Sequence, residues 1–216
     1  MRSIMREEKL MKVLLINGSP HEKGCTFTAL SEVAASLNAN GINTEIFWIG
    51  KGAVRGCIAC GGCMKLGKCV FSDGVNDLNA RAEEFDGLIV GSPVYYAGPN
   101  GSLCAFLDRM FFSGGSKWQG KPGACVVSCR RGGASAAFDR LNKYFTINNM
   151  PVISSQYWNQ VHGFTPDDVR QDLEGMQTMR TLGVNMAYLL KCMEAGRKAG
   201  VPEPVHEEIT YTHFIR

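Results

Sequence analysis

Five short apolar runs alternate with helical patterns along this chain. The runs are MKVLLING (11–18), TEIFWIG (44–50), GLIVGSPVYY (87–96), GACVVSCRRGG (123–133) and PVISSQYW (151–158). Their apolar stretches lack the apolar/polar alternation of a half-exposed strand, so both faces of each should be buried. The segment from Cys25 carries Phe27, Leu30, Val33, Ala34 and Leu37 at helical spacing and stops at Gly41. Further helices are expected near 74–84, 101–112 and 135–145, and a long one from about Asp167 to Ala199. This order predicts an α/β three-layer sandwich, a parallel sheet between two helical layers joined by right-handed crossovers.

Length and charge narrow the function. A chain of 216 residues suits one domain, taken here as 11–199, including a cysteine-rich loop at 56–69. Residues 200–216 form a C-terminal extension expected to lie on the surface or act as an interface arm. The net charge of +3 is small, and no basic stripe interleaved with aromatics is present, which argues against nucleic acid. No apolar stretch reaches membrane-spanning length, and the short first run reads as a strand rather than a signal peptide. The nine cysteines are odd in number and spread over strands and helices, a poor disulfide framework. A reducing cytoplasm is the expected compartment.

In open parallel sheets, ligands bind beyond the carboxyl ends of the strands. The loop after the first strand, Gly18 to Thr26, is small and hydroxyl-rich and opens a helix, where unpaired amides attract an anion. Ser19 and Thr26 add hydroxyls, and His21 and Lys23 add positive charge. The loop matches neither the Walker A pattern nor the dinucleotide G-x-G-x-x-G. The loop after the third strand holds Tyr95 and Tyr96 between Pro93 and Gly98, fit to line a planar ligand. After the fourth strand, Ser128-Cys129-Arg130-Arg131-Gly132-Gly133 lets the backbone approach such a ring closely. Cys129 stands near the proposed ring edge, and His162 is expected to be a satisfied loop histidine.

Four cysteines, Cys57, Cys60, Cys63 and Cys69, fall at C-x2-C-x2-C-x5-C spacing. Three readings stand: ligands of a 4Fe-4S cluster, a tetrahedral zinc site, or a tight glycine-rich loop without metal.

The stretches VLLINGSPHEKGCTFTAL, LIVGSPVYYAGPNGSLCAFLDR and VVSCRRGG resemble the flavodoxin-like NAD(P)H-dependent FMN reductase family, and CIACGGCMKLGKC resembles its iron–sulfur flavoprotein branch. The resemblance implies a five-stranded parallel sheet in the order 2-1-3-4-5 with FMN at its carboxyl edge. It implies that Ser19, His21, Cys25 and Thr26 surround the FMN phosphate. Pro93, Val94, Tyr95 and Tyr96 would border the isoalloxazine, with Ser128, Arg131, Gly132 and Gly133 closing on its other side. Asp108-Arg109 matches a helix signature with a structural or subunit-interface role. Family members commonly carry Arg in place of His21, and Asn or Ser in place of Cys25, so here phosphate binding would lean on backbone amides and hydroxyls.

The implied activity is an FMN-dependent oxidoreductase, in which NAD(P)H or a ferredoxin-like donor supplies electrons for a small acceptor such as a quinone or second flavin. A 4Fe-4S cluster on Cys57, Cys60, Cys63 and Cys69 would relay single electrons. A homodimer or homotetramer is expected, bringing one chain's cysteine loop to its neighbour's flavin. The alternative is a non-enzymatic electron carrier or redox sensor.

Overall fold

The computed structural model describes residues 10–213. The expected N-terminal start before residue 10 and the last three residues of the extension lie outside that range. In chain order the elements are β1 (Lys12–Asn17), α1 (Cys25–Ala39), β2 (Asn43–Trp48), α2 (Gly62–Leu66), α3 (Gly74–Ala80) and β3 (Gly87–Tyr95). They continue with β4 (Gly98–Pro99), α4 (Gly101–Gly114), β5 (Gly123–Cys129), α5 (Ala134–Ile147), β6 (Gln160–His162), α6 (Pro166–Gln171) and α7 (Leu173–Lys198).

The sheet runs β2-β1-β3-β5-β6, and every pairing along that path is parallel. The two-residue β4 hangs antiparallel on the end of β3. Without it the order is the expected 2-1-3-4-5. Successive residues of each central strand point to opposite helical layers. Leu14, Ile16, Leu88, Val90, Cys125 and Val127 belong to one core with α3, α4 and α5. Val13, Leu15, Ile89, Ala124 and Val126 belong to the other with α1 and α7. Each fully buried Leu, Ile or Val contributes about 1.5–3 kcal/mol over an exposed one, which is why strands this apolar settle in the middle layer.

Helix α7 lies close along α1. A Cβ at Gly183 would stand 2.6 Å from Ser36 Cβ, so only glycine permits the approach. Ser36 Oγ donates to the Arg180 carbonyl at 2.8 Å, and Arg180 pairs with Glu32 at 2.6 Å.

Two elements differ from expectation. The fifth strand is not 151–158. That segment touches β5 only through a bridge between Gly123 and Val152, and the ladder resumes at Gln160–His162. Between them Ser155 Oγ donates to the Tyr157 carbonyl and also accepts from the Tyr157 amide, a local turn competing with the ladder. The long helix is interrupted at Asp172, whose side chain accepts from Gly175 N–H and caps α7. Before it, α6 starts in a capping box between Thr165 and Asp168. Among the described residues, no helix is long and apolar enough to cross a membrane.

Candidate functional site

Loops from three strand ends meet at one edge of the sheet. The first is shaped by Asn17, a fully buried residue at the end of β1. Its Oδ1 accepts from Ser19 N–H at 3.1 Å, and its Nδ2 donates to the Glu22 carbonyl at 2.9 Å. Ser19 Oγ accepts from His21 N–H, and the Ser19 carbonyl accepts from Trp48 Nε1 at 2.7 Å. Asn17 was not singled out from sequence; the signal was an Asn at a strand end just before a Gly-Ser turn, where its side chain mimics backbone. The loop delivers the chain to α1, whose N-cap is Gly24, with no side-chain cap and no acidic residue in the first turn. The amides of Cys25, Thr26 and Phe27 therefore start the helix without a capping side chain, an arrangement that favours an anion. Burial pushes the Cys25 thiol up from its ordinary pKa, so no thiolate opposes that anion.

The second loop leaves β3 through Pro93, Val94 and Tyr95. Tyr96 and Ala97 then take left-handed backbone, with φ of 50° and 58°. This sharp reversal turns Tyr96 fully into solvent and leaves Tyr95 half exposed. The loop closes on Asn100, whose N–H bonds Ser92 Oγ and whose side chain caps α4.

The third loop follows β5 and contains Ser128, Arg131, Gly132 and Gly133. Gly133 has φ of 90°, and a Cβ there would stand 2.7 Å from Ala97 Cα and 3.1 Å from Val94 Cγ1. The second and third loops are therefore in contact. The first and third are joined by Thr26 Oγ1 and Ser128 Oγ, 2.8 Å apart and both buried. These contacts join Thr26 to Ser128 and Val94 to Gly133; the exposed Arg131 and Gly132 border the same turn. Cys129 is buried beneath it, its thiol pushed up by burial. His162 stands elsewhere, on edge strand β6, its Nδ1 3.7 Å from Asp172 and its ring lining a small cleft with Tyr157 and Thr178.

Asp108 and Arg109 both bond within the chain. Asp108 accepts a 2.5 Å hydrogen bond from Tyr144 OH. Burial, then this carboxylate, push the Tyr144 phenol well above its ordinary pKa. Arg109, 1% exposed, bonds Asp73 through both terminal nitrogens at 2.7 Å, Cys69 Sγ through Nε at 3.3 Å and the Arg55 carbonyl at 3.2 Å.

The cysteine loop corrects the sequence reading. The expected 4Fe-4S cluster on Cys57, Cys60, Cys63 and Cys69 is not supported, nor is zinc. Among the described residues, no three His, Cys, Asp or Glu side chains gather where they could hold a metal ion. All four cysteines border one hollow, but its volume is about 20 Å³, room for a single water. Cys57 and Cys60 are exposed on irregular chain, whereas Cys63 sits on α2 and Cys69 beyond it. The left-handed residues Ala59, Gly61 and Gly67 fold this chain over the Arg109 guanidinium. The expected relay of single electrons through a cluster falls with it.

Comparison with known proteins agrees with the architecture. The chain is 31% identical over 192 residues to an iron–sulfur flavoprotein of Methanocaldococcus jannaschii, covering 85% of this chain and all of that one. Among solved structures, RosB with bound 8-demethyl-8-formylriboflavin-5′-phosphate superposes with a TM-score of 0.67 at 13% identity, over 95% of this chain and 94% of the other. A flavodoxin from the domain Archaea matches with a TM-score of 0.58 at 15% identity, over 84% of this chain and 99% of its own. Both structural likenesses concern the fold. The family model for NADPH-dependent FMN reductase matches residues 11–165, all three loops included. With its flavodoxin-type strand order, this chain belongs to the NADPH-dependent FMN reductase family, a family of oxidoreductases, on the branch of the iron–sulfur flavoproteins.

Proposed function

We propose that this protein is an FMN-dependent oxidoreductase that takes electrons from NAD(P)H and delivers them to a small acceptor such as a quinone or a second flavin. The observation that carries the reading is the contact of three loops: Thr26 with Ser128, and Gly133 with Ala97. The residues fit the cofactor. The uncapped start of α1 suits a phosphate, and the Tyr95–Tyr96 reversal facing the Arg131-Gly132-Gly133 turn suits a planar ring. When bound, FMN supplies the redox chemistry.

The chain's own part is binding and shielding. Amides of Cys25 and Thr26, with the hydroxyls of Ser19 and Thr26, would hold the phosphate, and His21 would add charge. Pro93, Val94, Tyr95 and Tyr96 would border one side of the ring, with Ser128, Arg131, Gly132 and Gly133 on the other. Cys25 stays a neutral thiol. No side chain is required as acid or base. Backbone N–H groups directed at the ring would favour its anionic reduced form.

Residues 11–199 would form the flavin-binding domain, with the chain beyond it as an arm. In that arm Val205, Ile209 and Tyr211 are exposed, which supports assembly into a homodimer or homotetramer. All nine cysteines are free, in keeping with a reducing compartment such as the cytoplasm.

The test is reconstitution with FMN followed by steady-state oxidation of NADH and NADPH with a quinone acceptor. Turnover that depends on added FMN is expected. Tight FMN binding without nicotinamide turnover would leave an electron carrier instead.

A further inference from the structure

A cleft of about 930 Å³ lies at the amino end of β5, the end of the sheet away from the three loops. One wall is apolar and belongs to the body of the domain, through Met150, Val152, Leu189 and Met193. The other is the root of the C-terminal arm, from Val201 to His206. We propose that this cleft receives residues 207–213 of a second copy, and that two copies exchange arms reciprocally. The inference deepens the reading of residues 200–216 as an assembly arm and rests on it.

Three observations commit the cleft to that occupant. The first is the arm's composition. Ile209, Thr210, Tyr211 and Thr212 are β-branched or aromatic, the residue types that fill strands. In an extended chain Ile209 and Tyr211 share one face, and Glu208, Thr210 and Thr212 the other. Yet residues 201–213 belong to no strand or helix, and Ile209 and Tyr211 are 70% and 87% exposed. The second is an open edge inside the cleft. Gly123 bonds the Pro151 carbonyl and the Ile153 amide, which turns the N–H and C=O of Val152 away from β5. There they meet no partner among the described residues. An extended segment laid along Val152 satisfies them and continues the sheet. The third is charge. Residues 200–213 hold three glutamates and no lysine or arginine. Glu203 stands 3.9 Å from Arg197 of its own chain. Glu207 and Glu208 have no ion-pair partner among the described residues, and neither has Lys191, next to Cys192 on the α7 wall.

The chain's own arm is already committed to the far wall. Pro202 and Pro204 keep its root extended. Val201 N–H bonds the Gly196 carbonyl, and His206 and Asn149 are hydrogen-bonded at 2.9 Å. No residue beyond His206 lines the cleft. Seven extended residues reach roughly 23 Å, enough to lie along a neighbour's cleft. A two-fold pair makes both contacts with one self-complementary surface.

The test is carbodiimide crosslinking of the full chain. Unlabelled and nitrogen-15-labelled protein are mixed, left to exchange subunits and read by mass spectrometry. Links from Glu207 or Glu208 to Lys191 are expected in peptide pairs that carry one label of each kind. Sedimentation equilibrium then compares wild type with Ile209→Asp/Tyr211→Asp. Both side chains are exposed in the single chain, so the double variant should keep its circular dichroism. Its dimer dissociation constant should rise about a hundredfold, a decade for each apolar anchor removed. An assembly unchanged in the double variant, or arm links confined to pairs of one label, would overturn the exchange while leaving the homo-oligomer intact. Wild-type protein that sediments as a single chain would overturn both.

Discussion

Thr26 and Ser128 are 102 residues apart in sequence, yet their hydroxyls meet at 2.8 Å where the first and third loops join. The contact ties the start of α1 to the end of β5. Thr26→Val keeps the shape and removes the hydroxyl, leaving Ser128 without this partner. A stability loss of about 1 kcal/mol is expected. FMN affinity should fall about tenfold, as for loss of one hydrogen bond to a charged group. Chemical denaturation and flavin titration on the same sample check both; unchanged affinity would remove Thr26 from the phosphate site.

Gly133→Ala tests the contact between the second and third loops. Alanine at φ of 90° is strained, and its Cβ would meet Ala97 Cα at 2.7 Å. The folded protein should survive with a melting temperature lowered by several degrees, matching a cost of about 1–3 kcal/mol. Retention of full FMN affinity would show that the two loops need not touch to hold the ring.

Asn17→Ala should open the first loop from within. It removes both the acceptor for Ser19 N–H and the donor to the Glu22 carbonyl from a fully buried place. We expect a destabilisation of about 1–3 kcal/mol and a larger loss of FMN affinity than for Thr26→Val. Calorimetry of the variant with and without FMN separates the two effects.

Arg109 and Asp73 give a pH prediction. The Arg109 guanidinium, more than any other neighbour, holds the Asp73 carboxyl below its usual range. A carboxylate depressed in the folded state adds stability above its unfolded pKa of about 4 and loses it as pH falls through the folded value. Wild-type stability should therefore decline below about pH 4 more steeply than that of Asp73→Asn. Arg109→Met removes hydrogen bonds to a carboxylate that is 41% exposed and can be rehydrated, so it should cost about 1–2 kcal/mol at neutral pH and speed proteolysis in the cysteine loop. Parallel acid titration curves for wild type and Asp73→Asn would dismiss the ion pair as the cause.

Apolar runs made the sheet legible, because burial on both faces leaves a pattern that only a middle layer explains. The turn between β1 and α1 was legible from Ser19 and Thr26, small residues where a strand passes into a helix. Three features were not. The turn through Ser155 and Tyr157 is decided by side-chain bonding that competes with a strand of acceptable composition. Asp172 looks like any helical acid until its carboxylate is seen bonding Gly175 and the amide of His162. Cysteine spacing counts candidate ligands, but their placement depends on the left-handed turns at Ala59, Gly61 and Gly67 and on Arg109, which donates to Cys69.

The glycine contact between α7 and α1 bears on how fast a ligand can be captured. Gly183 lets α7 lie directly against Ser36, and Arg180 bonds Glu32 and Ser36 from the same side. Helix α1 is thereby clamped at Glu32 and Ser36, and the loop before its amino end is held by Asn17. The conformational entropy of arranging those amides is lost once, during folding, rather than at each encounter. Association with a phosphate-bearing ligand should then be governed by diffusion and charge, with little delay from loop ordering.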